Sequence, residues 1–196
     1  MKKSSKTTYH HGNLREALLE AALSLLREQG PAEISLREVA RRAQVSHAAP
    51  AHHFGDKAGL LTALATRGFE LFGEAMRSAA QRGSGDAQRA FAWAGWAYVM
   101  FAAEHRAYFE IMFSPELLHA EDPALLQASG AAYQVLIDSV KSVTDPTRSP
   151  EEEERLAIQA WSWVHGLATL WLHGNLKKYG THAQLDGLVK KLCGLE

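Results

Sequence analysis

Helix-capping punctuation recurs along this chain so regularly that little length is left for strands. Asn13 with Glu16, and Ser35 with Glu38, each place a short polar side chain three residues ahead of a carboxylate, the spacing of a capping box. The first introduces an apolar stripe of Leu14, Leu18, Ala21, Leu25 and Leu26 that Gly30-Pro31 ends. The second introduces a short face of Leu36, Val39, Ala40 and Ala43 before Gln44-Val45 turns the chain. Ser46 is expected to cap a third short helix to about His53. Phe54-Gly55-Asp56-Lys57 then leads into a long amphipathic helix with Leu61, Leu64, Ala65, Phe69, Phe72 and Met76 inward, fading near Gly83-Ser84-Gly85. Asp122-Pro123 supplies a cap and a first-turn proline for a helix ending near Thr144. Ser149-Pro150 starts another, with Glu151 to Glu154 at its positive end. That helix can run past Lys177 and Lys178 to Gly180, about 45 Å at 1.5 Å per residue. Thr181 with Gln184 caps a last one, on which Leu185, Leu188, Val189, Leu192 and Cys193 form a stripe. The fold class is all-α.

Ala90 to Ala103 is apolar nearly all round, so this helix should be buried on several sides, and the aromatics from Phe91 to Phe113 should open a second core. Arg89 and Glu104 bound the run, which falls short of the ~18 residues of a membrane span. The start, Met1-Lys2-Lys3-Ser4-Ser5-Lys6, is basic but leads to Tyr9-His10-His11-Gly12 rather than an apolar segment, so it is not expected to be a signal peptide. With 46% apolar and 22% charged residues the 196-residue chain can bury a real core, which excludes disorder throughout. One cysteine allows no disulfide within a chain and suits a reducing cytoplasm.

Charge is unevenly placed. Through Gly59 there are nine Lys and Arg against six Asp and Glu, a net +3, so the remainder carries -4 of the overall -1. Five of the ten histidines (10, 11, 47, 52, 53) share that front segment. It either faces a polyanion or simply solvates helix surfaces. Two short helices joined by a tight turn after a longer one form a helix-turn-helix, whose last helix can enter a DNA major groove.

The string Ser35-Leu36-Arg37-Glu38-Val39-Ala40-Arg41-Arg42-Ala43-Gln44-Val45-Ser46, then His53-Phe54-Gly55-Asp56-Lys57 and Leu60-Leu61, closely resembles the tetracycline-repressor (TetR/AcrR) family of bacterial regulators. The likeness covers roughly residues 12–72, with the helix-turn-helix about 35–54. Trp163-Val164-His165-Gly166-Leu167 and Trp171-Leu172-His173-Gly174 are similar to the family's Trp-His-Gly type of C-terminal domain, which would occupy 84–196. The resemblance implies a homodimeric, ligand-responsive repressor of the cytoplasm, associated with the nucleoid when bound to a palindromic duplex, and neither an enzyme nor a cofactor protein.

It further implies that Lys57 and Ser35 grip backbone phosphates, and that Ser46, His47, Ala48 and Ala49 lead the reading helix toward base edges. His52 and His53 lie near phosphates, Arg41 and Arg42 add charge, and the Lys2, Lys3 and Lys6 arm either tracks a minor groove or stays a free tail. Two positions depart from the pattern. Ala51 stands where a tyrosine commonly meets a phosphate, and Pro50 falls in the first turn, where its missing N–H costs little.

Trp93, Trp96, Met100, Phe109, Phe113, Tyr133 and His165 are the candidate walls of a pocket for a small apolar or aromatic effector, though such a cluster is equally a solid core. Trp161, Val164, Leu172, Leu185, Leu188, Val189 and Leu192 are the candidate dimer seam. Gln159, Ser162, His165, Thr169 and His173 make a polar line that could face a ligand, a partner or water. His10-His11 and His52-His53 do not amount to a metal site, since neighbours on a helix diverge by about 100°. No catalytic constellation is present, and Cys193 sits in an apolar stripe. The alternative reading is a helical small-molecule carrier or enzyme whose front domain no longer binds DNA.

Overall fold

The computed structural model describes residues 11–195, with side chains from Leu14 onward. The basic arm of Lys2, Lys3 and Lys6 and His10 lie outside the described residues, as do the side chains of His11 and Asn13. Among those described the secondary structure is helical, without strands: α1 (His11–Glu33), α2 (Leu36–Arg42), α3 (Ala49–Phe54), α4 (Lys57–Ala80), α5 (Ala87–Glu104), α6 (Arg106–Met112), α7 (Pro123–Val143), α8 (Pro150–Leu172) and α9 (His182–Leu192). No helix of the described residues is long and apolar enough to cross a membrane.

Several helix ends fall where the punctuation places them, and others do not. Asn13 lies inside α1 rather than at its cap, because the helix already includes His11. Gly30 breaks α1 with φ 78° and ψ 174°, and Pro31 opens one further turn. The Ser35 hydroxyl accepts from the Glu38 N–H at 3.2 Å, but the Glu38 carboxylate turns to Arg41 instead of returning the bond, so only half of that capping box forms. Ser46 caps nothing with its side chain. α3 begins three residues later, with Ala48 at its cap and Pro50 in its first turn. Ser149 with Glu152 and Thr181 with Gln184 form complete capping boxes. α8 stops at Leu172, well short of Gly180, because Gly174 at φ 72° lets the Gly174 and Asn175 amides turn back onto the Trp171 and Leu170 carbonyls. The break at His105 that separates α6 from α5 carries no glycine or proline, and nothing in the sequence pattern marks it.

The same turn-back ends α2, with Gln44 in the glycine position. The Val45 N–H bonds the Ala40 carbonyl at 3.0 Å and the Gln44 N–H the Arg41 carbonyl at 3.2 Å, which holds Gln44 at φ 57°. A side chain in that region is strained, so Gln44→Gly should raise unfolding free energy by about 1 kcal/mol in urea titration, and a loss would contradict this geometry.

α4 is the axle of the molecule. It packs on α5, α6 and α7 along its length and on α1 and α3 near its start, while α8 lies across α5 and α7, and α9 across α5. The glycine-rich corner after α4 was expected to separate two cores. Instead, buried side chains from Leu18 through Leu64, Phe72, Tyr98 and Ile111 to Val189 form one continuous cluster, because α4 runs unbroken from the first helices into the later ones.

Candidate DNA interface and ligand cavity

The turn after α2 sets α3 across the outer side of α2 and the start of α4. Pro50 is fully buried beneath α3, while His47, Ala48, Ala51 and His52 are exposed. Ala49, expected on the reading face, is turned partly inward against the core, and His53 is half-buried. The exposed side of this segment is thus a low ridge of alanines flanked by two imidazoles.

Three of the surrounding cations are already engaged. Arg42 was expected to lend charge, but its guanidinium takes Glu28 through two 2.6 Å bonds and Ser24 at 2.8 Å, stapling α2 to α1. Those bonds hold the Glu28 carboxyl down to about 2. Arg41 is paired with Glu38 at 2.5 Å. The Lys57 ammonium donates to the Ala32 carbonyl at 2.8 Å at the end of α1. Arg37, which was not singled out from the sequence, is exposed on α2 with no ion-pair partner among the described residues. Its signal was the Ser35-Leu36-Arg37 start itself, where a residue two places past the cap must face outward.

The start of α4 is tied to the other half of the chain. The Asp56 carboxylate caps α4 through the Gly59 N–H at 2.8 Å and also meets His119 Nε2 at 2.9 Å. The His119 N–H donates to the buried Thr62 hydroxyl at 2.9 Å. Nearby, Arg67 of α4 pairs with Glu16 of α1.

Two chambers of about 450 Å³ each lie on either side of Tyr98. Both are half open at the surface; one, here called inner, is walled by Phe69, Phe72, Met112, Phe113, Tyr133 and Trp161 among others, and the other, called outer, by Phe91, Gly95, Val135, Trp163, Val164 and Cys193 among others. Met76, Tyr98 and Leu136 border both. Of the pocket residues expected from sequence, Phe113 and Tyr133 line the inner chamber. Met100 and Phe109 are buried core. Trp93 and Trp96 face away, stacked under the Arg82 guanidinium at 3.5 and 5.3 Å, with Trp96 Nε1 donating to Asp186 of α9 at 2.8 Å. His165 stands behind Tyr98: its Nδ1 meets the Tyr98 hydroxyl at 2.8 Å, and Trp161 Nε1 donates to that same oxygen at 2.9 Å. Burial lowers the His165 pKa and raises that of Tyr98, so both are neutral near pH 7. Tyr98 was hidden from sequence reasoning by an apolar run in which every aromatic looks like core.

The expected dimer seam divides in the structure. Val164, Leu185 and Val189 are buried within their own chain, Trp161 lines the inner chamber, and Leu172 and Leu188 are half-buried. The α9 stripe faces inward because α9 packs on α5. Leu192 stays exposed, together with Trp163 and Leu170 on one face of α8. The polar line splits likewise, with Gln159, Ser162 and His173 exposed and His165 turned to Tyr98. No group of three or more His, Cys, Asp or Glu placed to hold a metal ion occurs among the described residues.

Residues 18–64 match the family described as bacterial regulatory proteins, tetR family, and residues 91–193 match the tetracyclin repressor-like C-terminal domain. A solved structure of a protein of unknown function from Rhodococcus sp. RHA1 is 34% identical, with TM-score 0.80, covering 97% of this chain and 96% of that one. The chain belongs to the tetR family of bacterial regulatory proteins. A tetR-family regulatory protein from Rhodococcus RHA1 shares the fold at 18% identity and TM-score 0.68, over 93% of this chain and 94% of that one. So does the tetR-family transcriptional regulator PfmR from Thermus thermophilus, at 18% identity and TM-score 0.67, over 91% and 95%. No curated protein matches. The tetR C-terminal match does not extend to the Trp-His-Gly type that Trp163 to Leu167 suggested.

Proposed function

We propose that the chain is a homodimeric, ligand-responsive repressor that binds a palindromic operator through residues 12–72 and senses an effector and dimerises through residues 84–196. It acts in the cytoplasm, on the nucleoid when DNA-bound, and carries out no catalysis. The exposed alanine ridge of α3 carries the reading: His47, Ala48, Ala51 and His52 face outward, anchored by a buried Pro50, beside Ser35, Arg37 and Lys57. Alanine methyls suit close approach and contact with thymine methyls, and Lys57 would exchange the Ala32 carbonyl for a phosphate. Two copies joined through Trp163, Leu170 and Leu192 would set two α3 helices on successive major grooves, about 34–36 Å apart. Gly166 lies on that face with nothing within 4 Å of a Cβ, leaving room for a second helix.

Responsiveness rests on the wiring from chamber to reading head. Phe113 and Pro115 wall the inner chamber, and His119, four residues on, holds Asp56 and Thr62 at the start of α4. An effector that displaces that wall would pull on the helix that carries Lys57, and its binding would be reciprocal with DNA release.

The test is selection of bound duplexes from a random pool, followed by a salt titration. A palindrome should emerge, and its affinity should fall by about a thousandfold between roughly 50 and 200 mM salt, as phosphate-gripping dimers require. A monomer that ignores every duplex at low salt would leave the carrier or enzyme reading in its place.

A further inference from the structure

We infer that the effector is an electrically neutral molecule with two apolar ends joined through one hydrogen-bonding atom, seated across Tyr98 with an end in each chamber. This rests on the ligand-responsive reading above and specifies what that site accepts.

No residue lining either chamber carries a charged side chain. An ionised group brought inside would lose its hydration with no counter-charge, whereas apolar surface is welcome there. The polar side chains at the walls are few and uncharged: Gln88, Ser139 and Trp163 in the outer chamber, Ser129, Tyr133 and Trp161 in the inner, and Tyr98 shared by the two. The Tyr98 oxygen has one bonding position left after Trp161 and His165. When His165 Nδ1 accepts, the hydroxyl keeps one lone pair for a ligand donor. When Nδ1 carries the proton, both lone pairs are used and the O–H is free to donate. A single linking N–H, hydroxyl or carbonyl is therefore satisfied at the Tyr98 oxygen. Each chamber alone suits a ring system or short chain. Met76, unbranched and bordering both, is the part of the septum able to swing aside and let one molecule reach through.

The experiment compares two probes of nearly the same skeleton. N-phenyl-1-naphthylamine is two apolar ring systems joined by one N–H, and 1-anilinonaphthalene-8-sulfonate adds a sulfonate to it. Titrated against DNA-free protein, the neutral probe should show saturable fluorescence with one molecule per chain, and the sulfonate should bind at least tenfold more weakly. Equal or tighter binding of the sulfonate, or no binding of the amine, overturns the inference. Tyr98→Phe should weaken the neutral probe about fivefold, the share of one hydrogen bond. Unchanged affinity removes the linking bond from the proposal.

Two readouts do not depend on that variant folding. Gly130, on α7 at the inner chamber, has nothing within 4 Å of a Cβ and gains helix propensity on substitution. Gly130→Trp should therefore fold, obstruct the inner chamber and cost at least tenfold in affinity, and an unaltered affinity refutes that placement. Cys193 is the chain's single cysteine and lines the outer chamber. Saturating neutral probe should slow its alkylation by N-ethylmaleimide several-fold, and an unchanged rate refutes occupation of that side. Protein that binds the amine in this way but selects no palindrome keeps the ligand class and loses the regulator, and the converse outcome loses the ligand class alone.

Discussion

Gly59→Ala should weaken operator binding by about tenfold to a hundredfold while leaving the bundle from α5 to α9 folded. A Cβ built on Gly59 falls 2.0 Å from the Phe54 carbonyl oxygen and 3.2 Å from its carbon. Both are backbone atoms at the end of α3, so no side chain can rotate away. The carbonyl cannot retreat cheaply either, because the Asp56 N–H donates to it at 3.0 Å while the Asp56 carboxylate holds the Gly59 N–H. The added methyl must push α3 away from α4. Overpacking of this kind costs about 1–3 kcal/mol, and each 1.4 kcal/mol is tenfold in an equilibrium. α3 is six residues long and is held mainly by α2 and the start of α4, with Arg15 of α1 over the Phe54 ring, so the cost falls on the reading head. Fluorescence anisotropy on a selected duplex measures the loss, and circular dichroism checks the bundle. Wild-type affinity in this variant would mean that α3 does not need its packed position to bind DNA.

Local rules made the helices legible from sequence, and tertiary packing decided what was not. Ser149, Thr181 and Asp122 cap where the spacing puts them because a cap involves only its own first turn. Ser46 does not, because Pro50 must be buried against the core and that requirement sets where α3 begins. Glu38 fails to complete its box because Arg41, one turn on, is a stronger partner than a backbone amide. The site divides in the same way. The placement of Ser35, His47, Ala48, His52 and Lys57 on or beside the helix-turn-helix was legible because a short string of sequence fixes that motif. The Arg42 ion pair was not legible, because its partner Glu28 lies fourteen residues away on another helix. The chambers were the least legible part. Trp93 and Tyr98 are both buried aromatics on α5, and only the position of Arg82 in the corner after α4 on one side and of α7 on the other makes one a cation-stacked strut and the other a cavity wall.

The α9 stripe supports the second large effect. Leu185 has no exposed surface and Leu192 is half exposed, although both belong to one seven-residue repeat. Leu185→Ala should cost about 2–5 kcal/mol of unfolding free energy, the range for a leucine deleted from a closed core. It should lower the denaturation midpoint at every protein concentration, because the lost contacts lie within one chain. Leu192→Asp should do the reverse. Monomer stability should move by about 0.5 kcal/mol or less, as for exposed substitutions, while a charge placed in an apolar seam beside Trp163 disfavours association. Analytical ultracentrifugation should show wild-type dimers becoming monomers in this variant, with a matching loss of operator affinity, since two half-sites are then bound independently. If Leu192→Asp remains dimeric, the two copies are not joined through Leu192 and the Trp163–Leu170 face of α8 beside it.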